Sequence, residues 1–122
     1  MTPDELSERL LNFAVRVGKV VDALPDTRLG NHIARQFICS GTAAGPNYEE
    51  ACAAESRADF AHKLSISLKE LRETRSWIRL IIGAELLSPR KMAGMLDEVN
   101  QLCNIVGAAL ATAKGKRRRP PD

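Results

Sequence analysis

Hydrophobic residues recur at helical spacing along most of this chain, and their pattern predicts four separate helices. In the first segment the apolar positions are three and four residues apart, the spacing of helices that pack in a bundle. These positions are Leu6, Leu10, Phe13, Val17, Val20 and Leu24. The segment Thr2–Glu5 precedes them and predicts a capping box, with proline where a helix needs no N–H. We therefore predict that helix 1 begins here and ends at residues 25–27, which also cap the second helix.

A second apolar stripe follows residue 27, but only if one helix continues through a stretch of small residues. The stripe comprises Leu29, Ile33, Phe37, Ala44, Tyr48 and Ala51. Within a helix Pro46 costs about 3 kcal/mol, and Gly41 and Gly45 add about 1 kcal/mol each. The stripe nevertheless keeps its phase on both sides of the proline. We therefore predict one continuous helix 2 that is kinked near Gly41–Pro46, with a break at Pro46 as the alternative.

Gly41 and Gly45 allow two interpretations. They lie on adjacent helical turns, and two positions without side chains would let a neighbouring helix approach closely. Alternatively, a glycine-rich segment can cradle a phosphate. The Gly-Lys-Ser/Thr ending of a P-loop is missing and no strand pattern precedes the segment, so we favour close packing.

Helix 3 carries apolar residues on two flanks. A capping box at Ser56–Asp59 predicts its start, and the periodic pattern extends to about Leu86. Its core positions are Phe60, Leu64, Leu68, Leu71, Ile78 and Ile82. A second apolar set lies on roughly the opposite flank and comprises Ile66, Trp77, Leu80 and Ile81. Because a lone bundle cannot bury both sets, we expect the second set to lie in an interface between copies of this chain.

The fourth helix completes the predicted fold. Ser88 and Pro89 repeat the pattern of a cap followed by proline. The apolar stripe that follows is Met92, Leu96, Val99, Cys103, Val106 and Leu110. The predicted fold class is all-α, an antiparallel up-down four-helix bundle over residues 1–113. A chain of 122 residues is long enough for one core, and only 4% of its residues are aromatic, so aliphatic side chains would fill that core.

The cysteines and the hydropathy place the chain in a reducing compartment. Cys39, Cys52 and Cys103 lie on apolar helical stretches without C-x-x-C spacing, which predicts reduced, packed thiols. The chain has no apolar run long enough to span a bilayer and no secretory signal at its N-terminus. We therefore expect a cytoplasmic protein.

The positive charge is concentrated in a C-terminal tail. Residues 114–122 have a net charge of +4, whereas the other residues have a net charge of −1. The basic residues of the tail are Lys114, Lys116, Arg117, Arg118 and Arg119. No apolar residue follows Ala113, so we predict that residues 114–122 form a disordered arm. A second basic group, Lys69, Arg72 and Arg79, lies between the two apolar flanks of helix 3.

The sequence shows no catalytic constellation. A di-iron site in a helical bundle needs two Glu-x-x-His motifs and two further glutamates, and only Asp59-x-x-His62 comes close. No serine has a histidine and an aspartate at a recognisable spacing. We therefore expect no enzymatic activity, no metal and no cofactor.

The motifs together resemble those of a known family. These are Leu24-Pro25-x-Thr27, then the segment Ser40–Ala51, then Arg57-x-x-Phe60-x-x-Lys63-Leu64-x-Ile66. They resemble bacterial four-helix bundle proteins encoded within intervening sequences of large-subunit rRNA genes. The resemblance covers roughly residues 6–113 and implies a ring-shaped homopentamer without known enzymatic activity. A more distant similarity is to pentameric accessory proteins of retroelements, which bind nucleic acid and a reverse transcriptase through basic surfaces.

Two functions remain open. In the first, the protein is a nucleic-acid-binding accessory factor. Its phosphate contacts would come from Lys69, Arg72 and Arg79 of helix 3 and from Lys114, Lys116, Arg117, Arg118 and Arg119 of the tail. In the second, it is a protein-interaction scaffold, and the arginines are solvated or paired with Glu70 and Glu73. Few aromatics are available for base stacking, so structured RNA or a duplex is the expected nucleic acid.

Overall fold

The computed structural model describes residues 1–115 and contains four helices in that part of the chain. They are α1 (Pro3–Ala23), α2 (Arg28–Cys52), α3 (Arg57–Gly83) and α4 (Pro89–Ala113). No strand occurs among these residues. The prediction of an all-α four-helix bundle is confirmed. The predictions for Lys116, Arg117, Arg118 and Arg119 lie outside the described residues.

Contacts between the helices show their relative directions. From α2 to α3, Glu50 pairs with Lys63, and the Ala44 carbonyl accepts a hydrogen bond from the Ser67 hydroxyl at 2.8 Å. Residue numbers fall along α2 as they rise along α3, so these two helices run in opposite directions. The same reversal appears between the other neighbouring helices. Between α1 and α2 the contacts are Leu10–Gly45 and Val17–Gly41, and between α3 and α4 they are Leu68–Gly107 and Arg75–Asn100. Between α1 and α4 they are Arg9–Glu98 and Arg16–Gly94.

The ends of the helices follow the capping signals, with one exception. Thr2 and Glu5 form the reciprocal hydrogen bonds of a capping box, at 3.0 and 3.1 Å. The hydroxyls of Thr27 and Ser56 each accept a backbone N–H at 3.0 Å. Ser88 precedes α4, but its side chain makes no capping hydrogen bond. Ser88 is the N-cap residue of α4 and Pro89 lies in the first turn, as predicted, but the serine hydroxyl does not take part in the cap.

Helix α2 runs without interruption through Pro46. Pro46 cannot donate a hydrogen bond to the Thr42 carbonyl, and both residues are exposed, so solvent can satisfy that carbonyl. The break considered as an alternative is therefore excluded, while the kink stays a prediction. The predicted stripe needs one correction, since Leu29 is 40% exposed and the core takes Ser40 and Gly41 instead.

Gly41 and Gly45 both lie in the helix, which excludes the phosphate-cradling loop. A methyl group built on Gly41 would lie 2.7 and 2.8 Å from the two Cγ atoms of Val17 in α1. Such distances are shorter than van der Waals contact, so only glycine permits this approach of the two helices. The prediction of close packing is confirmed for Gly41.

The thiols are less buried than the sequence predicted. Cys103 is buried, but Cys39 and Cys52 are exposed on α2. The prediction of packed thiols was therefore wrong for those two residues, because the apolar stripe of α2 does not extend to their positions. Within residues 1–115 no helix is both long enough and apolar enough to cross a membrane.

Candidate nucleic-acid interface

Two separate shallow depressions lie along the seam between α3 and α4. The first is lined by Arg75, Arg79, Leu96 and Asn100. The second is lined by Leu68, Arg72, Gly107, Leu110, Ala111 and Lys114. We call these ten residues together the α3/α4 groove. It brings four cationic side chains, from two helices, to one face of the protein.

The spacing of the arginines explains why they share this face. At about 100° per residue, Arg79 lies about 20° around α3 from Arg72, and Arg75 lies about 60° from Arg72. All three therefore lie along the flank of α3 that packs against α4. Lys114 reaches the groove from the C-terminal end of α4.

The groove has a positive local field. Its lining residues include no aspartate or glutamate. Arg75 donates a hydrogen bond to the neutral Asn100 side chain at 3.3 Å. Within residues 1–115 none of the four cations of the groove forms an ion pair, and the pairs present are Arg9–Glu98 and Lys63–Glu50. Their charges are therefore available to an anionic ligand.

The buried thiol of Cys103 lies within reach of this field. Burial raises the pKa of Cys103, and the charges of Arg75 and Arg72 act in the opposite direction because they favour the thiolate. Both guanidinium groups are thus close enough to α4 to influence a side chain under the seam.

The glutamates proposed as partners of the arginines lie elsewhere on α3. Glu73 accepts a hydrogen bond from the Trp77 indole N–H at 3.4 Å. Glu70 is half-buried, and burial together with the neighbouring Glu73 raises its pKa. Among the described residues neither carboxylate pairs with an arginine, so ion pairing does not account for the basic flank of α3.

The structure brings together only part of the predicted basic set. Arg72, Arg79 and Lys114 line the groove, whereas Lys69 is exposed and lies outside its lining. Sequence reasoning missed Arg75 and Asn100. The signal for Arg75 was present, because its spacing of three residues from Arg72 and four from Arg79 marks one helical face.

The predicted apolar interface set is also divided. Ile66 and Trp77 are half-buried and Leu80 is 39% exposed. Ile81 is fully buried in the core of the protomer, so assigning it to an interface was wrong. The reason is that α3 packs against both α2 and α4, which buries a wider arc of its surface than one stripe. We call Ile66, Trp77 and Leu80 the α3 apolar strip.

One aromatic contact adjoins this strip, and a separate pair of exposed apolar residues lies on α1. The Trp77 ring contacts His32 of α2 edge-on, with ring centroids 5.7 Å apart. On α1, Leu11 and Val15 lie one turn apart and are 56% and 50% exposed. Sequence reasoning missed this pair because both residues lie outside the heptad stripe of α1.

A metal centre is not formed by the described residues. Within residues 1–115 no three of the His, Cys, Asp and Glu side chains come close enough together to hold a metal ion. The exposed features of this part of the chain are the cationic side chains of the α3/α4 groove and the apolar side chains of α1 and α3.

The fold and the groove define a four-helix bundle protein with a basic face. A family model described as the 23S rRNA-intervening sequence protein matches residues 5–108. The chain belongs to this family, as the resemblance in its motifs predicted.

A solved structure supports the same assignment. It is the 1.70 Å crystal structure of a protein of unknown function from the S23 ribosomal protein family of Bacteroides thetaiotaomicron VPI-5482. The two chains are 30% identical, and the match covers 90% of this chain and 98% of the other with a TM-score of 0.82. No curated protein matches the chain.

Proposed function

We propose that this protein is a non-enzymatic, nucleic-acid-binding accessory protein of the cytoplasm. The observation that carries the proposal is the row formed by Arg72, Arg75, Arg79 and Lys114, which face one side without acidic partners among residues 1–115. Cations arranged in this way bind phosphates mainly by releasing condensed counterions. Such binding gives affinity without reading a base sequence.

The ligand that fits this surface is structured RNA or a duplex. Single-stranded nucleic acid is usually bound by aromatic side chains that stack on the bases. The residues lining the groove include no aromatic side chain. Tyr48 is 6% exposed, and Trp77 lies on another flank of α3 against His32. Phosphate and shape recognition therefore suit the described residues better than base stacking does.

The family description supports structured RNA as the first ligand to test. It names proteins of the intervening sequences of 23S rRNA, which is a highly folded RNA. That description concerns where the family is encoded, and contact with RNA is our proposal for this chain.

We also propose that the protein assembles with copies of itself. The α3 apolar strip and the pair Leu11 and Val15 expose apolar side chains on different helices. Contact between two different surfaces is head-to-tail, and such contacts produce a ring when the rotation closes. The family resemblance suggests five copies. A ring would present several grooves at once, so individually weak phosphate contacts would add up in avidity.

The second candidate, a protein-interaction scaffold, is supported by the same exposed apolar side chains. The two functions differ in what they require of the basic groove. A scaffold would leave the arginines solvated, whereas the accessory protein uses them to bind phosphates.

Binding measurements at several salt concentrations test the proposed function. Wild-type protein should bind a structured RNA and a duplex DNA more tightly than a single strand, and the affinity should fall steeply as salt increases. No binding at about 50 mM salt, where electrostatic contacts are strong, would overturn the proposal and leave the scaffold in its place.

A further inference from the structure

We propose that the α3/α4 groove is a track for one sugar–phosphate strand of a double-stranded segment, an inference that rests on the proposed function. The proposal adds a defined site, a required shape and an orienting residue to the idea of a basic surface. It assigns phosphate contacts to Arg72, Arg75, Arg79 and Lys114, and it excludes Lys69.

The length of the groove suits several consecutive phosphates. Its lining on α4 extends from Leu96 to Lys114, which corresponds to about 27 Å at 1.5 Å per residue. Successive phosphates of one strand are about 6–7 Å apart along the strand, roughly twice their rise of about 3.4 Å along the helix axis. The groove is therefore long enough for its four cations to contact different phosphates of one strand.

Small residues keep the groove open along α4. Gly107 and Ala111 line it one turn apart, between the side chains of α3 and Lys114. A methyl group on Gly107 would lie 3.9 Å from Leu68 Cδ2, so Leu68 forms the floor there. A large side chain at either position would fill the space in which a backbone must lie to approach the arginines.

Asn100 orients one of the cations. Its Oδ1 accepts a hydrogen bond from Arg75 Nη1 at 3.3 Å, which holds the guanidinium over the groove without neutralising it. An aspartate would form an ion pair with Arg75 instead and would place a negative charge in the path of the phosphates. Asn100 is therefore a positioning residue.

The decisive experiment compares Asn100→Asp with Asn12→Asp. Both substitutions introduce the same charge, but Asn12 is exposed on α1, which contributes no residue to the groove. Fluorescence anisotropy with a labelled RNA hairpin and a duplex DNA should show affinity reduced about tenfold or more for Asn100→Asp. Asn12→Asp should change the affinity by less than about threefold, since its charge lies on a helix outside the track.

A second pair of variants tests the shape of the groove without changing charge. Ala111→Leu fills the groove, whereas Thr112→Leu places the same side chain at an exposed neighbouring position outside it. Only Ala111→Leu should weaken binding. Thermal unfolding of all four variants shows whether each is folded before its affinity is compared.

The outcomes separate the groove from the proposed function. If the wild type binds nucleic acid but the groove variants and their controls lose affinity equally, the groove is not the track, although nucleic-acid binding itself still stands. Equal affinity of the wild type for a single strand and a duplex would overturn the proposal that the ligand is double-stranded. A wild type that binds none of the probes would overturn the proposed function itself.

Discussion

Gly41 of α2 packs against Val17 of α1 so closely that a methyl group on the glycine would lie 2.7 Å from Val17 Cγ1. Gly45, one turn further along α2, is different, because its methyl group would lie 3.7 Å from Leu10 Cβ, an ordinary contact. Gly41 therefore leaves no room for a side chain, whereas Gly45 has room for a methyl group.

We predict that Gly41→Ala destabilises the protein and Gly45→Ala does not. Alanine at either position gains about 1 kcal/mol of helix propensity over glycine. At Gly41 the overpacking against Val17 should outweigh this gain and cost about 1–3 kcal/mol. At Gly45 the propensity should raise the free energy of unfolding by up to about 1 kcal/mol. Urea denaturation of both variants measures the difference, and equal shifts in the two would contradict it.

The end of α3 provides a second prediction. Glu85 has a φ of 55°, in the left-handed region, at the residue where a helix often has glycine. Its N–H donates to the Ile82 carbonyl at 3.0 Å and the Leu86 N–H donates to the Ile81 carbonyl at 3.1 Å, the two bonds of a Schellman motif. Glu85→Gly should therefore stabilise the protein by about 0.5–1 kcal/mol. Glu85→Ala is the control and should give no such gain in thermal unfolding.

The sequence predicted where helices begin better than it predicted which flanks are buried. The hydroxyls of Thr2, Thr27 and Ser56 each accept a hydrogen bond from a backbone N–H three residues further along the chain, so the local sequence was enough to predict these helix starts. The burial of Ile81 depends on where two other helices lie. Ile81 and Leu68 are both buried although they lie about 140° apart around α3, because α2 and α4 cover different flanks.

The groove could be predicted in composition but not in shape. Arg72 and Arg79 were identified from their charge and spacing. Asn100 and Gly107 belong to the site because α4 lies beside α3 in a particular register, and helical periodicity carries no information on that register.

The thiols give a prediction that depends on burial. Burial raises the pKa of Cys103, so at a given pH less of it is the reactive thiolate, and its side chain is also inaccessible. Cys39 and Cys52 are exposed. An aromatic disulfide reagent at neutral pH should therefore modify two thiols quickly and the third only when the protein unfolds. Cys103→Ser should leave the fast reaction unchanged, and loss of a fast thiol in that variant would contradict the prediction.

Self-association should depend on the α3 apolar strip. Leu80 is 39% exposed, so Leu80→Glu places a charge in the proposed interface with little effect on the core. Trp77→Glu should also dissociate the assembly, but Trp77 packs against the core and its variant can fail for that reason. Ser76→Glu, at an exposed position of α3 outside the strip, is the control.

Light scattering at micromolar concentration measures the effect. The wild type and Ser76→Glu should be oligomers of the same size, and Leu80→Glu should be a monomer or a much smaller species. A monomeric wild type would show that the exposed strip does not mediate self-association.

The last prediction separates the tail from the groove. Deleting residues 116–122 removes Lys116, Arg117, Arg118 and Arg119 but keeps Lys114 in the groove. Helices α1–α4 lie within residues 1–115, so we expect the shortened protein to fold. If the tail binds phosphates, the deletion should weaken binding and reduce the slope of log affinity against log salt. On a B-form duplex that reduction should be about 0.9 for each phosphate that the tail neutralises.

Replacing Arg72 and Arg79 by glutamine should reduce the slope by about 2 even when the tail is present. Lys69→Gln should leave the slope nearly unchanged, because Lys69 lies outside the groove. Loss of salt dependence on deletion alone would show that the tail, and not the bundle, binds the nucleic acid.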